Sequence, residues 1–436
     1  MSFQYETAIE IAKILKKWNS RTVVILGGYH PTLAHEVIAD SEAQQFIDFM
    51  IRGEGEAAFA ELVQALAEGR SFDSIKNLSY KEDGVFIHNP RSANLDLQSI
   101  KLPNRQCRLT GHYMIFGKQA DVIETSRGCI MQCDFCCMPQ MYGRAFRKYP
   151  VERVIEDIKQ VKDRGSKAIF IIDDNIFIDA DHLGELCEQI MKNGLQEIHY
   201  TIQANVARIS RDPKLVELMA QAGVKVVFLG IENIKKTNIE FLSKDKHVLE
   251  QTTQALTLLR KYRIISVGGF IIGNPYDNEQ ILWEHVQFAQ KNTLDVPLFM
   301  LLTPFLKTEI REKIMSEGLL TNPYDFSFYD LSHANLRTKF LSPNELNLLK
   351  SKMYGAYNNS ALLKSNMIRT HYPWYFLKLI LKETPRSATN FLRKFLYKNW
   401  EYENYKADKV REIRRMKKWL LDKQNYIQKE LEEFSY

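Results

Sequence analysis

Apolar positions recur at helical spacing between residues 6 and 18, where Ala8, Ile9, Ile11, Ala12, Ile14 and Leu15 face away from Lys13, Lys16 and Lys17. A short apolar run at residues 22–26 ends in Gly27-Gly28-Tyr29-His30-Pro31. A second run, at 46–51, ends in Arg52-Gly53-Glu54-Gly55-Glu56 and leads into a helical stretch over 57–67. Strand, glycine turn and helix, repeated, is the order of a parallel α/β unit. Residues 78–88 read as a hairpin around Asp83-Gly84. Residues 89–118 hold little periodicity and read as a connection.

From residue 121 to about 303 the two periods alternate evenly. Strand patterns fall at 121–125, 168–172, 197–203, 225–229, 264–272 and 296–302, with helical patterns such as 151–162 and 213–222 between them. Asp212 stands where it would cap the latter, with Pro213 in its first turn. Six strand–helix repeats predict parallel strands joined by right-handed crossovers, with the chemistry at their C-terminal ends. Residues 343–436 are helical by pattern.

Hydrophobic content of 45% and charged content of 26% place the 436 residues among soluble globular proteins with room for two or three domains. No apolar run approaches the length of a membrane span, and the opening Met1-Ser-Phe-Gln-Tyr-Glu6 is not a basic-then-apolar leader, so the expected location is the cytoplasm. Residues 361–436 carry 17 Lys and Arg against 9 Asp and Glu, a net +8; since the whole chain is +6, the remainder carries −2. Residues 1–360 are near neutral and the tail is basic.

The chemistry concentrates in Glu124-Thr-Ser-Arg-Gly-Cys129-Ile-Met-Gln-Cys133-Asp-Phe-Cys136-Cys137, which gathers four of the six cysteines into nine residues on a loop leaving a strand. Thiolates are ligands for iron–sulfur clusters and for zinc. A closed zinc site wants four ligands, usually two separated pairs, and Cys107 and Cys187 lie alone. Cys137 directly follows Cys136 and is expected to point away from the centre its neighbour faces. Three thiolates on a four-iron cluster leave one iron open.

Cys129-x3-Cys133-x-Phe135-Cys136 resembles the signature of the radical S-adenosylmethionine (radical SAM) superfamily. The resemblance implies a [4Fe-4S] cluster held by Cys129, Cys133 and Cys136, whose open iron chelates the amine and carboxylate of SAM. It further implies reductive cleavage of SAM to methionine and a 5′-deoxyadenosyl radical that abstracts hydrogen from a substrate, with flavodoxin or ferredoxin as electron donor. The fold it implies is α/β with a (β/α)6 partial TIM barrel over residues 121–340.

On the same resemblance, the second strand end, Asp173-Asp174-Asn175, faces SAM, with helix capping as the alternative role for either aspartate. Gln203 and Asn205 end the third strand with amides that both donate and accept. Gly230 and Glu232 end the fourth, and Glu232 resembles the acid that meets the ribose or amine of SAM. Gly273 closes the fifth, resembling the glycine-rich strand beside the adenine, and Phe135 lies in the cluster loop. Arg127, Arg144 and Arg147 flank that loop and would tune the cluster or lie at the surface. No catalytic acid or base is assigned.

Leu26-Gly-Gly-Tyr-His-Pro31 and Arg52-Gly-Glu-Gly-Glu56 resemble the second half of the cobalamin-binding domain that precedes many radical SAM barrels. Residues 1–100 then form a partial Rossmann-like unit, 101–120 a linker, and 341–436 a basic helical region. Gly27, Gly28, His30, Gly53 and Glu54 are the candidate corrinoid contacts, but Asp-x-His-x-x-Gly, the cobalt-ligand motif, is absent and His30 reads as structural. The expectation is either an upstream start or a trimmed member, and no tight hold on cobalamin by this chain alone.

Relatives commonly carry Pro-Gly-Thr after the last strand, where this chain has Thr303-Pro304-Phe305-Leu306-Lys307-Thr308. The aromatic segment 324–333 reads as a lid or as core packing. The tail, with His371-Tyr-Pro-Trp374 and a basic run over 386–423, reads as a solvated helix packed by its Trp and Leu side, with an anionic membrane surface or RNA as alternative partners. The function expected is radical chemistry on a small, apolar organic substrate: methylation, cyclisation or rearrangement. The alternative is a non-catalytic binding protein that keeps a structural metal cluster.

Overall fold

The computed structural model describes residues 1–108, 113–243, 248–361 and 371–372, which divide into two compact units, Met1–Ser92 and the described part of Ala93–Phe376. The expectations placed on the basic tail beyond these residues lie outside the description.

In the first unit α1 (Tyr5–Trp18) precedes β1 (Ile25–Leu26), α2 (Tyr29–Ala39), β2 (Phe49–Ile51), α3 (Glu56–Glu68) and the hairpin β3 (Leu78–Glu82) and β4 (Val85–His88). β1 pairs parallel with β2, and β3 and β4 continue the same sheet antiparallel, so the hairpin completes the half-sheet. Phe49, Ile51, Leu62, Ala65, Leu78 and Tyr80 form its core. Gly27-Gly28 opens a helix here: His30 and Pro31 sit in the first turn of α2, where proline lacks a donor the turn does not need.

The second unit starts with the antiparallel pair β5 (Tyr113–Ile115) and β6 (Lys118–Ile123), then a two-strand ribbon of β7 (Ser126–Arg127) and β8 (Arg147–Lys148) with the short α4 (Met138–Tyr142) between them. α5 (Val151–Asp163), β9 (Ala168–Ile171), α6 (Ala180–Lys192), β10 (His199–Asn205), α7 (Val206–Arg211), α8 (Pro213–Gln221) and β11 (Val224–Glu232) follow. Then come α9 (Lys236–Phe241), α10 (Val248–Lys261), β12 (Ile265–Ile272), α11 (Glu279–Lys291), β13 (Val296–Leu301), α12 (Glu309–Ser316) and α13 (Pro343–Ala361).

The seven strands run in the order β13-β12-β11-β10-β9-β6-β5, with β6 and β9 to β13 all parallel. That is the six-stranded parallel half-barrel the alternation predicts, extended by one antiparallel edge strand. Alternation along β10 places Tyr200, Ile202 and Ala204 in the core, and therefore Gln203 and Asn205 on the opposite face. Asp212 caps α8 through the Leu215 amide at 3.0 Å, with Pro213 at the first turn, as its position predicts.

In segment 324–333 Phe326 and Tyr329 are buried, as packing predicts, while Tyr324 is exposed; the buried Arg311 donates to the Tyr329 hydroxyl at 2.9 Å and the Pro304 carbonyl at 3.0 Å. In the loop after β13, Lys307 takes the positive φ (60°) that favours glycine, and the Gln140 side chain of α4 donates to its carbonyl at 2.9 Å. Among the described residues no helix is long and apolar enough to cross a membrane.

Candidate active site

The cysteine loop leaves β6 and is fixed by its neighbours on both sides. Gly128 has φ of 86°, and a Cβ there would run into the Ala145 carbonyl, so only glycine lets the chain turn. The Cys136 amide donates to the Cys133 carbonyl at 3.1 Å, folding the Cys-x-x-Cys segment into a turn. Between them, Asp134 accepts from Ser243 at 2.7 Å and from Lys313, and its carbonyl accepts the Ile310 amide of α12 at 3.1 Å. Burial works to raise the Asp134 carboxyl, but Lys313 and Ser243 outweigh it and hold the group below its ordinary range.

A cavity of about 300 Å³ opens beside this loop, at the small end of ligand cavities. Cys129, Cys133, Cys136 and Phe135 line it, together with Asp174, Gln203, Asn205, Gly230 and Glu232 from the ends of successive strands. Met131, Met138, Asn175, Ala204 and Phe228 complete the wall. Cys137, half-buried, does not line it. Burial pushes the Cys136 thiol up to about 12, with the neighbouring Cys137, Cys133 and Cys129 adding to the shift and the Met138 amide opposing it. A thiol held neutral by its surroundings becomes a thiolate when a cation neutralises the charge. Among the described residues no three His, Cys, Asp or Glu side chains already stand as a metal-holding group. The fit to an iron–sulfur cluster therefore rests on donor chemistry and placement: three soft ligands on one short loop around one cavity.

The two aspartates after β9 have separate jobs. Asp173 is almost fully buried; it accepts the Thr125 amide at 2.7 Å, the Ser126 hydroxyl at 2.6 Å and the Thr125 hydroxyl, tying the end of β6 to the end of β9. It does not line the cavity. Asp174 does, and accepts the Gly128 amide at 3.0 Å. Burial pushes both carboxyls up to about 6; for Asp174 the Gly128 amide opposes the shift, and the charges of Asp173 and Glu124 add to it. Neither caps the next helix; Asp179 does, accepting the His182 amide at 2.9 Å.

On the third strand, Gln203 donates to the Asp173 carbonyl at 3.2 Å, and Asn205 caps α7 through the Ala207 amide at 2.8 Å. Glu232 ends the fourth strand in a strained conformation. Its φ is 66°, and the Asn233 amide donates across it to the Ile231 carbonyl at 2.9 Å, a positive-φ γ-turn. The pairing of β11 with β12 also slips here, Gly230 facing Gly269 and Glu232 facing Phe270, so Ile231 is a bulge residue that re-aims the next side chain. The Glu232 carboxylate folds back over Gly230, where a Cβ would lie 2.5 Å from Oε1.

Gly273 is not brought to the cavity: its amide donates to the buried Asp277 at 2.8 Å. Arg127 pairs with Glu124 at 2.9 Å, Arg144 reaches Glu309 at 3.4 Å near the surface, and Arg147 donates to the Leu95 carbonyl at 2.7 Å. None of the three lines the cavity.

The remaining candidates belong to the first unit. Gly28 (φ 88°) precedes α2, and the Gly53 amide donates to the Thr32 hydroxyl at 2.9 Å, a bond that holds the start of α2 to the segment after β2. Nothing lies within 4 Å of a Cβ built at Gly27 or Gly28. His30 and Glu54 are buried; the His30 ring lies 4.4 Å from that of Tyr5, and burial drives its pKa down to about 3, so the imidazole is neutral.

Comparison with known proteins adds three findings. A model of the radical SAM superfamily matches residues 123–289. An uncharacterised methyltransferase of Pyrococcus horikoshii is 30% identical over 349 residues, covering 80% of this chain and 74% of that one, and the hopanoid C-3 methylase of Methylococcus capsulatus is 26% identical over 397 residues, covering 88% and 71%. The solved structure of OxsB, a cobalamin-dependent SAM radical enzyme with aqua-cobalamin and SAM bound, superposes with a TM-score of 0.64 at 18% identity, a likeness of fold. It covers 90% of this chain, which spans 63% of that structure.

Proposed function

We propose, for a chain that belongs to the radical SAM superfamily, that the cavity beside the cysteine loop binds a [4Fe-4S] cluster and SAM and that the enzyme methylates a small organic substrate. One observation carries the reading: the three cysteines of one loop share a cavity with Asp174, Gln203, Asn205 and Glu232 from the ends of three strands. The cluster, when bound, supplies the electron that cleaves SAM. The protein binds, orients and excludes water.

Cys129, Cys133 and Cys136 are the ligands in this reading. The carboxylates of Asp174 and Glu232 meet the cationic end of SAM or its ribose hydroxyls, and the Gln203 and Asn205 amides complete the polar wall. Met131, Phe135, Met138 and Phe228 form the apolar side, against which an apolar substrate and the adenine would lie. A reduced flavodoxin or ferredoxin in the cytoplasm serves as electron donor. Methylation is preferred over cyclisation because both relatives described above are named for methyl transfer. The residue groups 1–100, 121–340 and 341–436 are the functional divisions this reading implies.

Glu232→Gln and Asp174→Asn are each expected to weaken SAM binding by about 1–3 kcal/mol, the loss of a charge-assisted hydrogen bond in a closed site. The iron content of both variants should match the wild type. Equilibrium dialysis of SAM against reconstituted protein decides it, and unchanged affinity in both variants would move the pocket elsewhere.

The same assay has a pH arm. Because Asp174 titrates near 6, its carboxylate is charged above that value and neutral below it. Affinity for a cationic ligand should be full at pH 7–8 and fall as pH drops through about 6. Asp174→Asn should flatten this profile.

Cobalamin is a separate question. The first unit offers one parallel strand pair and a buried, neutral His30, a narrow platform for a corrinoid ring. Anaerobic incubation of this chain with hydroxocobalamin followed by gel filtration should leave no stoichiometric corrinoid absorbance on the protein. Retention at one per chain would show the surface is sufficient and strengthen the case for a cobalamin-borne methyl group.

A further inference from the structure

Behind the strand ends lie four polar side chains, Asn233, Asn238, Asn274 and Asp277, each with no exposed surface. Burying so many polar groups is costly unless they are joined, and here every one of the four is tied in, though the Asn238 and Asn274 side-chain oxygens accept no hydrogen bond. The Asn233 side-chain NH2 donates to the Ile271 carbonyl at 3.0 Å, and its side-chain oxygen accepts the Lys235 amide at 2.9 Å. The Asn238 side-chain nitrogen, from α9, bridges the Asn233 oxygen at 3.3 Å and Asp277 Oδ1 at 2.6 Å. Asp277 Oδ2 accepts the Gly273 and Asn274 amides at 2.8 and 2.9 Å. The Asn274 side chain returns to the Ile271 carbonyl at 2.8 Å. The network thus starts one residue after Glu232 and ends on the loop that follows β12.

We infer that Asn238 and Asp277 are positioning residues that hold Glu232 in its strained turn and so set its carboxylate toward the bound SAM, a role that rests on the function proposed above. A γ-turn with positive φ at a glutamate persists only when its surroundings over-determine it. Asn233 is the partner that closes that turn, its amide bonding to the Ile231 carbonyl. Asn233 is itself fixed from two directions: by β12 through Ile271, and by the loop after β12 through Asn238 and Asp277. Neither Asn238 nor Asp277 lines the cavity, so any effect they have on the ligand must pass through the residues they hold.

A double-mutant cycle on the full, anaerobically reconstituted chain separates this role from general stabilisation. Asn238→Ala should raise the dissociation constant of SAM about tenfold when Glu232 is present, and no more than about twofold in a Glu232→Gln background. Asp277→Asn is the second variant. It keeps an oxygen for the Gly273 and Asn274 amides but presents an NH2 to the Asn238 NH2, and should show the same dependence on Glu232. Equal fold-losses in both backgrounds, or a lowered melting temperature with unchanged SAM affinity, would overturn the inference. Wild-type protein that fails to bind SAM, or Glu232→Gln protein that binds it as tightly as wild type, would instead remove the function proposed for the cavity.

Discussion

Alanine at Cys129, Cys133 or Cys136 is expected to lower bound iron from about four per chain to below about one and to abolish SAM cleavage, whereas Cys137→Ala keeps both. The contrast follows from placement. The first three thiols line the cavity and the fourth, adjacent in sequence, does not. Burial holds the Cys136 thiol near 12 and the Cys137 thiol near 11. At neutral pH both are protonated in the metal-free chain, and only the one facing a bound cation is driven to ionise. Cluster assembly must therefore release protons, and its yield should rise with pH. Iron and acid-labile sulfide assays, with 5′-deoxyadenosine measured under strong reductant, check all four variants. A Cys129→Ala protein with a full, active cluster would defeat the ligand assignment.

Much of this site is legible in the sequence because strands alternate. Gln203 and Asn205 are two residues apart on β10, and Phe228 and Gly230 are two apart on β11, so each pair falls on one face, whereas Glu232 lies beyond the bulge at Ile231. Phe228, left unassigned by motif, could have been found by counting back from Gly230. The strand order of the half-barrel was legible for a similar reason, since short crossovers leave a parallel sheet few other topologies.

What was hidden is long-range. The sequence places Asp173 and Asp174 together and cannot divide them; a backbone turn sends one to Thr125 and Ser126 and the other to Gly128 and the cavity. Asp134 sits among the cysteines without a recognisable role until Lys313, far along the chain, comes to it. Nor does periodicity reveal the bulge at Ile231, which depends on how β11 pairs with β12. His30 looked like part of a turn because proline follows it, but proline is also suited to the first turn of a helix.

The division of labour between the two aspartates has a consequence far larger than a lost ligand contact. Asp173→Ala would strand three buried donors, the Thr125 amide and the hydroxyls of Thr125 and Ser126, at the root of the cysteine loop. Each unsatisfied donor costs about 1–3 kcal/mol, and because the three share one acceptor the sum is expected near 3–5 kcal/mol. At about 2–4 °C per kcal/mol for a unit of this size, melting should fall by about 10 °C. Iron retention should fall with it, because the loop carrying Cys129 starts where that anchor ends. Asp173→Asn keeps the shape and one acceptor, and should keep the cluster at a smaller cost in stability. The SAM affinity of that conservative variant should lie within about threefold of wild type, unlike that of Asp174→Asn, since Asp173 holds the loop and does not line the cavity. A thermal melt followed by iron assay and SAM dialysis on the three variants tests the split. Native melting and iron in Asp173→Ala, or a SAM loss in Asp173→Asn as large as that in Asp174→Asn, would return Asp173 to the ligand.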